Sequence, residues 1–258
     1  MDSSDPNIKF DENNICDYCG FSLGNDIPRK TLNPAEILKE AGILKSQGFE
    51  HLLLVTGESN RKVGVDYIQE ALRILRRHFA NLSIEVQPLR TKEYAKLIDA
   101  GMHAVMVYQE TYERESYAAH HLKGKKKNFD WRLETPDRLG MAGVNKIGLG
   151  CLFGITKDWR TDAYFAGLHL DYLEKKYWKT LYSMSFPRIR PYEGETKLLA
   201  DLTDRDLVQL LCALAQSWPA RCSRCSTRTA SRTCSRSTPT PRCRSRARST
   251  WAAACLLM

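Results

Sequence analysis

The sequence predicts an α/β fold built on parallel strands, and three observations carry that prediction. From residue 33 onward, segments with helical periodicity alternate with short apolar runs. Those runs lack the apolar–polar alternation of half-exposed strands. Each strand is therefore expected to be covered on both faces and joined to the next by a right-handed helical crossover. The chain has 258 residues, enough for one large domain or two small ones whose core needs no disulfide or metal staples. A barrel and a doubly wound sheet both satisfy this pattern. A dinucleotide-binding sheet is disfavoured, because no glycine-rich fingerprint follows the early strands and "GLGCLFG" (148–154) has the wrong glycine spacing.

The elements follow in order. "NPAEILKEAGILKSQG" (33–48) has Asn33 as N-cap, Pro34 at the first helical position, Glu36 in the first turn and Gly48 as its end. "HLLLVT" (51–56) reads as a buried strand. A helix over 64–79, a strand over 83–88, a helix over 91–101 and a strand over 103–109 come next. Beyond them lie a helix through 135–143, a strand at 146–150, a helix over 162–178, a strand at 182–188 and a last helix over 203–216.

After that helix the texture changes. Residues 216–258 contain nine arginines, no acidic residue, and no Gly, Val, Ile, Phe or Tyr. Too few large apolar residues remain to build a core, so the domain is expected to span 1–215. The segment 216–258 reads as a disordered Arg/Ser/Cys-rich tail or as out-of-frame translation. All 30 acidic residues lie before it with 30 of the 39 basic ones, so the body is neutral and the net charge of +9 belongs to the tail. Nucleic-acid binding would rest on that tail alone, and no nucleic-acid partner is expected.

"MDSSDPNIKFDENN" has no apolar run, and no stretch approaches the roughly 18 apolar residues that span a bilayer, so a cytoplasmic protein with no membrane partner is expected. In that compartment the nine cysteines are expected as thiols or metal ligands. Cys151 and Cys212 lie in apolar surroundings and are expected in the core. Cys16 and Cys19 in "NNICDYCGFS" (13–22) form a CxxC pair, which suits half a zinc site, a redox dithiol or part of an iron–sulfur ligand set. A redox dithiol wants a helix starting at the pair, and the next helix starts only at Asn33. A zinc site wants two further ligands at finger spacing, which are absent.

That pair, "RKTL" (29–32), "GFEHLLLVTGE" (48–58), "EVQPL" (85–89), "VMVYQETY" (105–112), "HHLKGKKKNFDWRLETPDRLGMAG" (120–143), "KIGLG" (146–150) and "SFPRIRP" (185–191) give a run of matched blocks from Cys16 to about Ala213. The run resembles the radical S-adenosylmethionine tyrosine lyases that form 2-iminoacetate (dehydroglycine) for the thiazole of thiamine. The resemblance implies a partial TIM-like barrel, a [4Fe–4S] cluster held by a CxxxCxxC loop including Cys16 and Cys19, and bound S-adenosylmethionine. It also implies cleavage of L-tyrosine to 2-iminoacetate and p-cresol, with the thiazole synthase of the pathway as a partner. By the family pattern Tyr18 lies near the adenine, and Gly57 and Glu58 hold the methionine amino group. Glu110 with Arg132 takes further polar groups of the cofactor. Arg188 and Arg190, which follow the last strand in "SFPRIRP", are expected from that position to meet the tyrosine carboxylate. Active sites of such barrels gather at the C-terminal ends of strands, where Gly57, Glu58 and Glu110 fall.

Plainer roles stand beside these. Glu58 could cap the helix starting near Gly64, Glu110 and Arg132 could be a surface pair, and Tyr18 a core aromatic. "HHLKGKKK" (120–127) reads as a solvated loop, with His120 and His121 pointing apart on a helix. The chain departs from the family at position 12, where Glu12 replaces the first cysteine of the loop. It also lacks most of the preceding strand and the closing elements after Ala213, although "STR" (226–228) echoes a family block. The barrel is thus expected to be incomplete at both ends and its activity impaired. A related tyrosine lyase of hydrogenase maturation, a catalytically dead barrel and a nucleic-acid binder acting through the arginines are the alternatives.

Overall fold

The computed structural model describes residues 15–19, 30–59, 61–189, 200, 202–217 and 253–257. In chain order, β1 (Ile15–Cys16) is followed by α1 (Pro34–Ser46), β2 (His51–Val55), α2 (Val65–Leu75), β3 (Asn81–Glu85), α3 (Thr91–Asp99) and β4 (Met102–Met106). Then come α4 (Arg114–His120), β5 (His121–Lys123), a 3₁₀ turn (Lys125–Lys127), α5 (Phe129–Leu133), α6 (Thr135–Ala142), β6 (Lys146–Gly150), α7 (Trp159–Lys176), β7 (Leu181–Ser185), α8 (Asp204–Ser217) and β8 (Ala253–Leu257).

Six strands form one parallel sheet in the order β7-β6-β4-β3-β2-β8. Consecutive helices pack side by side, α1 on α2, α2 on α3, α3 on α6 and α6 on α7. A single ring of neighbouring helices over a parallel sheet is the arc of a barrel, whereas a doubly wound sheet divides its helices between two faces. The strands differ from the sequence expectation in part: β2 and β3 alternate between buried and half-buried residues, whereas β4, β6 and β7 carry the expected runs without clean alternation. Leu52, Leu54, Leu82, Ile84, Val105, Ile147, Leu149, Tyr182 and Met184 are buried in the core beneath the helices. The intervening residues of β2 and β3 face the barrel interior and are only partly buried.

Asn33 caps α1 as expected: its side chain accepts from the Glu36 amide at 3.0 Å, and the Glu36 carboxylate accepts from the Asn33 amide at 2.9 Å. α7 starts three residues before the sequence reading, because Asp158 caps it by accepting from the Arg160 amide. Cys151 is buried as expected, whereas Cys212 is exposed on α8 and is no core residue. The segment expected to be wholly disordered contributes β8, which runs parallel to β2 from His51↔Ala253 to Val55↔Leu257. "AACLL" is its one apolar run, and it supplies hydrogen bonds to the outer edge of β2. Residues 218–252 lie outside the described residues, as do Glu12 and Arg190. No helix among the described residues is long and apolar enough to cross a membrane.

Candidate active site

At the C-terminal ends of β2 and β4 the chain gathers four charged side chains into one buried chain of ion pairs. Arg132, on α5, donates from Nε to the Tyr108 carbonyl at 2.6 Å and from Nη1 to Glu58 Oε1 at 2.9 Å, and its Nη2 lies 3.5 Å from Glu110 Oε1. Lys126 Nζ donates to the same Glu110 oxygen at 2.7 Å. The order is therefore Glu58, Arg132, Glu110, Lys126, two carboxylates and two cations. Burial pushes the Glu110 carboxyl up, but Lys126 and Arg132 outweigh it and hold it below the usual carboxylate range. Burial likewise works against the cations, yet Glu110 and Glu58 raise both Lys126 and Arg132 above their ordinary values.

Glu110 occupies the left-handed backbone region at φ 71°, uncommon for a residue with a side chain. The neighbouring loops fix it there. The Leu152 amide donates to the Glu110 carbonyl at 2.8 Å, and the Gln109 amide to Gly150 at 3.0 Å. Asp162 of α7, 1% exposed, accepts from Thr111 Oγ1, the Tyr112 amide and Thr156 Oγ1, tying the loop after β4 to the loop after β6.

The cysteine turn docks on this network. β1 pairs antiparallel with β5, Cys16 opposite His121, and the Cys19 amide donates to the Cys16 carbonyl at 3.4 Å. His121 is buried and stacks on Tyr117 at 3.9 Å between ring centroids. Its Nδ1 donates to the Tyr117 carbonyl, so its Nε2 accepts from the Tyr18 hydroxyl at 2.6 Å. Burial, then Lys126, pushes the His121 pKa down to about 4, which keeps the ring neutral for that role. His120 bridges Asp17, at 2.9 Å, to the Ile155 carbonyl, at 2.9 Å. Lys126 Nζ lies 5.6 Å from the centre of the Tyr18 ring. Cys16 is 5% exposed, and burial pushes its thiol up to about 11, with Lys126 pulling it back and Glu58 and Glu110 pushing it further.

The structure thus brings together Cys16, Tyr18, Glu58, Glu110 and Arg132. Gly57 lies beside them, between Thr56 and Glu58, with nothing within 4 Å of where a Cβ would sit. Glu58 does not cap α2, whose N-cap is Gly64 with no side-chain cap bond. The Glu110–Arg132 pair is buried, not a surface pair. Arg188 stands apart: its guanidinium donates to the Leu202 carbonyl at 3.0 Å and pairs with Asp204 at 2.8 Å, so it is engaged at the start of α8. Sequence reasoning missed Lys126, His120 and His121. "HHLKGKKK" is no solvated loop, since its two histidines grip the cysteine turn and its middle lysine enters the ion network.

The Radical SAM superfamily family model matches residues 13–165. The chain is 54% identical over 200 residues to the 2-iminoacetate synthase of Escherichia coli (strain K12) and 52% identical over 200 residues to that of Salmonella typhimurium. Each match takes in 78% of this chain and 53% of the relative, so the chain spans about half the length of the curated relatives it matches. Among solved structures, the FeFe-hydrogenase maturase HydG from Carboxydothermus hydrogenoformans superposes with a TM-score of 0.75 at 29% identity, over 80% of this chain and 49% of that one. Methylornithine synthase (PylB) shares the fold, with a TM-score of 0.62 at 20% identity over 78% of this chain and 58% of its own.

Proposed function

Because the chain belongs to the radical SAM superfamily, we propose that it carries the cofactor-binding part of a lyase that cleaves L-tyrosine to 2-iminoacetate and p-cresol for thiamine thiazole synthesis. One observation carries the reading. The chain of ion pairs from Glu58 to Lys126 lies beside the cysteine turn, within residues 13–165 matched by the radical SAM model, in a chain 54% identical over 200 residues to a 2-iminoacetate synthase. The thiazole synthase as recipient of the product and a cytoplasmic location belong to the same proposal.

The cofactors of the superfamily are a [4Fe–4S] cluster and S-adenosylmethionine, which together supply a 5′-deoxyadenosyl radical when bound. The residues for S-adenosylmethionine fit. Its ammonium would match the Glu58 carboxylate, its carboxylate would match the Arg132 or Lys126 cation, and Gly57 leaves open space where a side chain would sit. Tyr18 would offer a ring face to the adenine. The residues for the cluster do not complete a set. Cys16 and Cys19 give two thiolates, Glu12 stands where the third would be, and among the described residues no three His, Cys, Asp or Glu side chains could together hold a metal. A carboxylate is a harder ligand than the thiolates that hold such clusters. Glu12 therefore favours a second reading, a barrel that binds S-adenosylmethionine without turnover.

Anaerobic reconstitution of the chain and of its Glu12→Cys variant tests both. The chain as it stands is expected to retain little iron, and Glu12→Cys to gain a cluster spectrum that Cys16→Ala or Cys19→Ala then removes. With dithionite and S-adenosylmethionine, a cluster-loaded variant that forms p-cresol from tyrosine supports the lyase. Stoichiometric zinc without iron in the Glu12→Cys variant would sink the cluster and lyase reading, and a full cluster with normal turnover in the unmodified chain would sink the reading of Glu12.

A further inference from the structure

The inner face of the barrel carries a carboxyl group that the ion network leaves unused. Glu85 ends β3, and since Leu82 and Ile84 of that strand are buried beneath the helices, alternation turns Ser83 and Glu85 to the interior. In register Glu85 stands beside Val55 of β2, just before Thr56, Gly57 and Glu58. Among the described residues no cation forms an ion pair with Glu85 and no donor bonds its carboxyl. Two residues on, Gln87 is 2% exposed. Its Nε2 donates to the Val63 carbonyl at 3.0 Å, which fixes the amide and leaves Oε1 a buried acceptor without a partner among the described residues. Tyr108, at the end of β4, closes the inner wall, its ring filling the space beside Gly150.

We propose that Glu85 and Gln87 form a subsite for the ammonium group of an amino acid substrate, L-tyrosine in the first place, the ammonium of S-adenosylmethionine being matched by Glu58. The choice of tyrosine rests on the lyase reading above. Two neighbouring acceptors with no donor call for a ligand rich in hydrogens, and one of them carries charge. An ammonium brings three N–H donors and a positive charge, where a hydroxyl brings a single donor and none. The local charges agree. Burial, then Glu110, lifts the Glu85 carboxyl above its ordinary range although Arg132 and Lys126 pull it down, and a cation beside it would reverse that shift.

Isothermal titration of the full chain with L-tyrosine, with 3-(4-hydroxyphenyl)propanoate, which lacks the ammonium, and with S-adenosylmethionine tests the subsite. Glu85→Gln is expected to weaken L-tyrosine by at least about tenfold, the loss of one charge-assisted hydrogen bond. It should leave the deaminated acid unchanged and the melting temperature at or above that of the wild type, because an unpaired acid has been removed. A loss on S-adenosylmethionine with tyrosine unchanged would overturn the subsite, since the cofactor ammonium belongs to Glu58. A different amino acid that binds where tyrosine does not, and is weakened by Glu85→Gln, keeps the subsite and sinks the tyrosine reading. Equal losses for tyrosine and its deaminated analogue, no loss for any ammonium-bearing probe, or no uptake of any of them by the wild type would overturn the subsite.

Discussion

Lys126 stands in the middle of three consecutive lysines, and it alone turns inward; Lys125 and Lys127 are exposed. Nothing in "GKKKN" marks it, because a lysine run reads as solvated until the 3₁₀ turn gives one side chain a different direction. Glu58, Glu110 and Arg132 were legible from strand-end position and from the family blocks. Their mutual pairing was not, since it joins residues up to 74 positions apart. Lys126→Met removes one of the two cations on Glu110 and leaves Arg132 at 3.5 Å, so a loss of about 1–3 kcal/mol in denaturant titration is expected. Lys125→Met and Lys127→Met should stay within about 0.5 kcal/mol, and equal effects for all three would contradict the inward placement. The pH dependence has a definite sign. Glu110 is held below its ordinary value of 4.5, so its stabilisation is present above that pH and is lost as pH falls from there through the lower folded value. The stability gap between the wild type and Glu110→Gln should therefore narrow on acidification below about 4.5 and stay constant above it. Glu85 has the opposite sign: its raised pKa makes its ionisation oppose folding as pH rises from the unfolded value through the folded one, so at neutral pH Glu85→Gln should not destabilise.

Elements with a period of their own were legible, and elements defined only by distant pairing were not. Most of the crossovers from α1 to β7 follow from apolar runs and helical faces, with shifts of a few residues at strand ends and at the start of α7, while the short helices α4 and α5 were not legible. β1 has two residues and β5 three, too few to show alternation, and they pair across more than a hundred positions of chain. Together α4, β5 and the 3₁₀ turn form a clamp on the cysteine turn, fastened by His120 and His121. His121→Ala would remove both the stack on Tyr117 and the acceptor for Tyr18. Cys16 alkylation in the native chain should accelerate, as followed by mass spectrometry, while the exposed Cys212 reacts at an unchanged rate. An unchanged Cys16 rate would show that β1 holds without the clamp. The middle of the sheet imposes its own constraint on β6. A Cβ at Gly150 would fall 2.1 Å from the Ser185 carbonyl oxygen, which is backbone, whereas one at Gly148 would meet the flexible end of Met106. Gly150→Ala is accordingly expected to cost about 1–3 kcal/mol or more and Gly148→Ala clearly less, with the order read from melting temperatures.

At the scale of the whole molecule, the alternation of helix and strand settled the class, because parallel strands joined by crossovers have few ways to pack. It could not say which edge of the sheet stays open. That depends on the order of strands in space, and here β2 has β3 on one side only among the strands before β8. The arginines and serines of 216–258 lead composition to predict disorder, yet composition averages over position. A five-residue apolar run at the far end needs no core of its own if an exposed strand edge offers it a full ladder of hydrogen bonds. β8 takes that place on β2, residue for residue along His51–Val55. The consequence differs from a dispensable tail. Deleting only residues 253–258, with the arginine-rich stretch left intact, would strip the partner from the edge of the strand whose C-terminal end delivers Gly57 and Glu58. The deletion should lower the melting temperature, raise concentration-dependent aggregation through the freed edge, and weaken S-adenosylmethionine binding by way of Glu58. A chain that melts, stays in solution and binds as before would show that β2 does not need β8, and that the barrel holds its site without closing on that side.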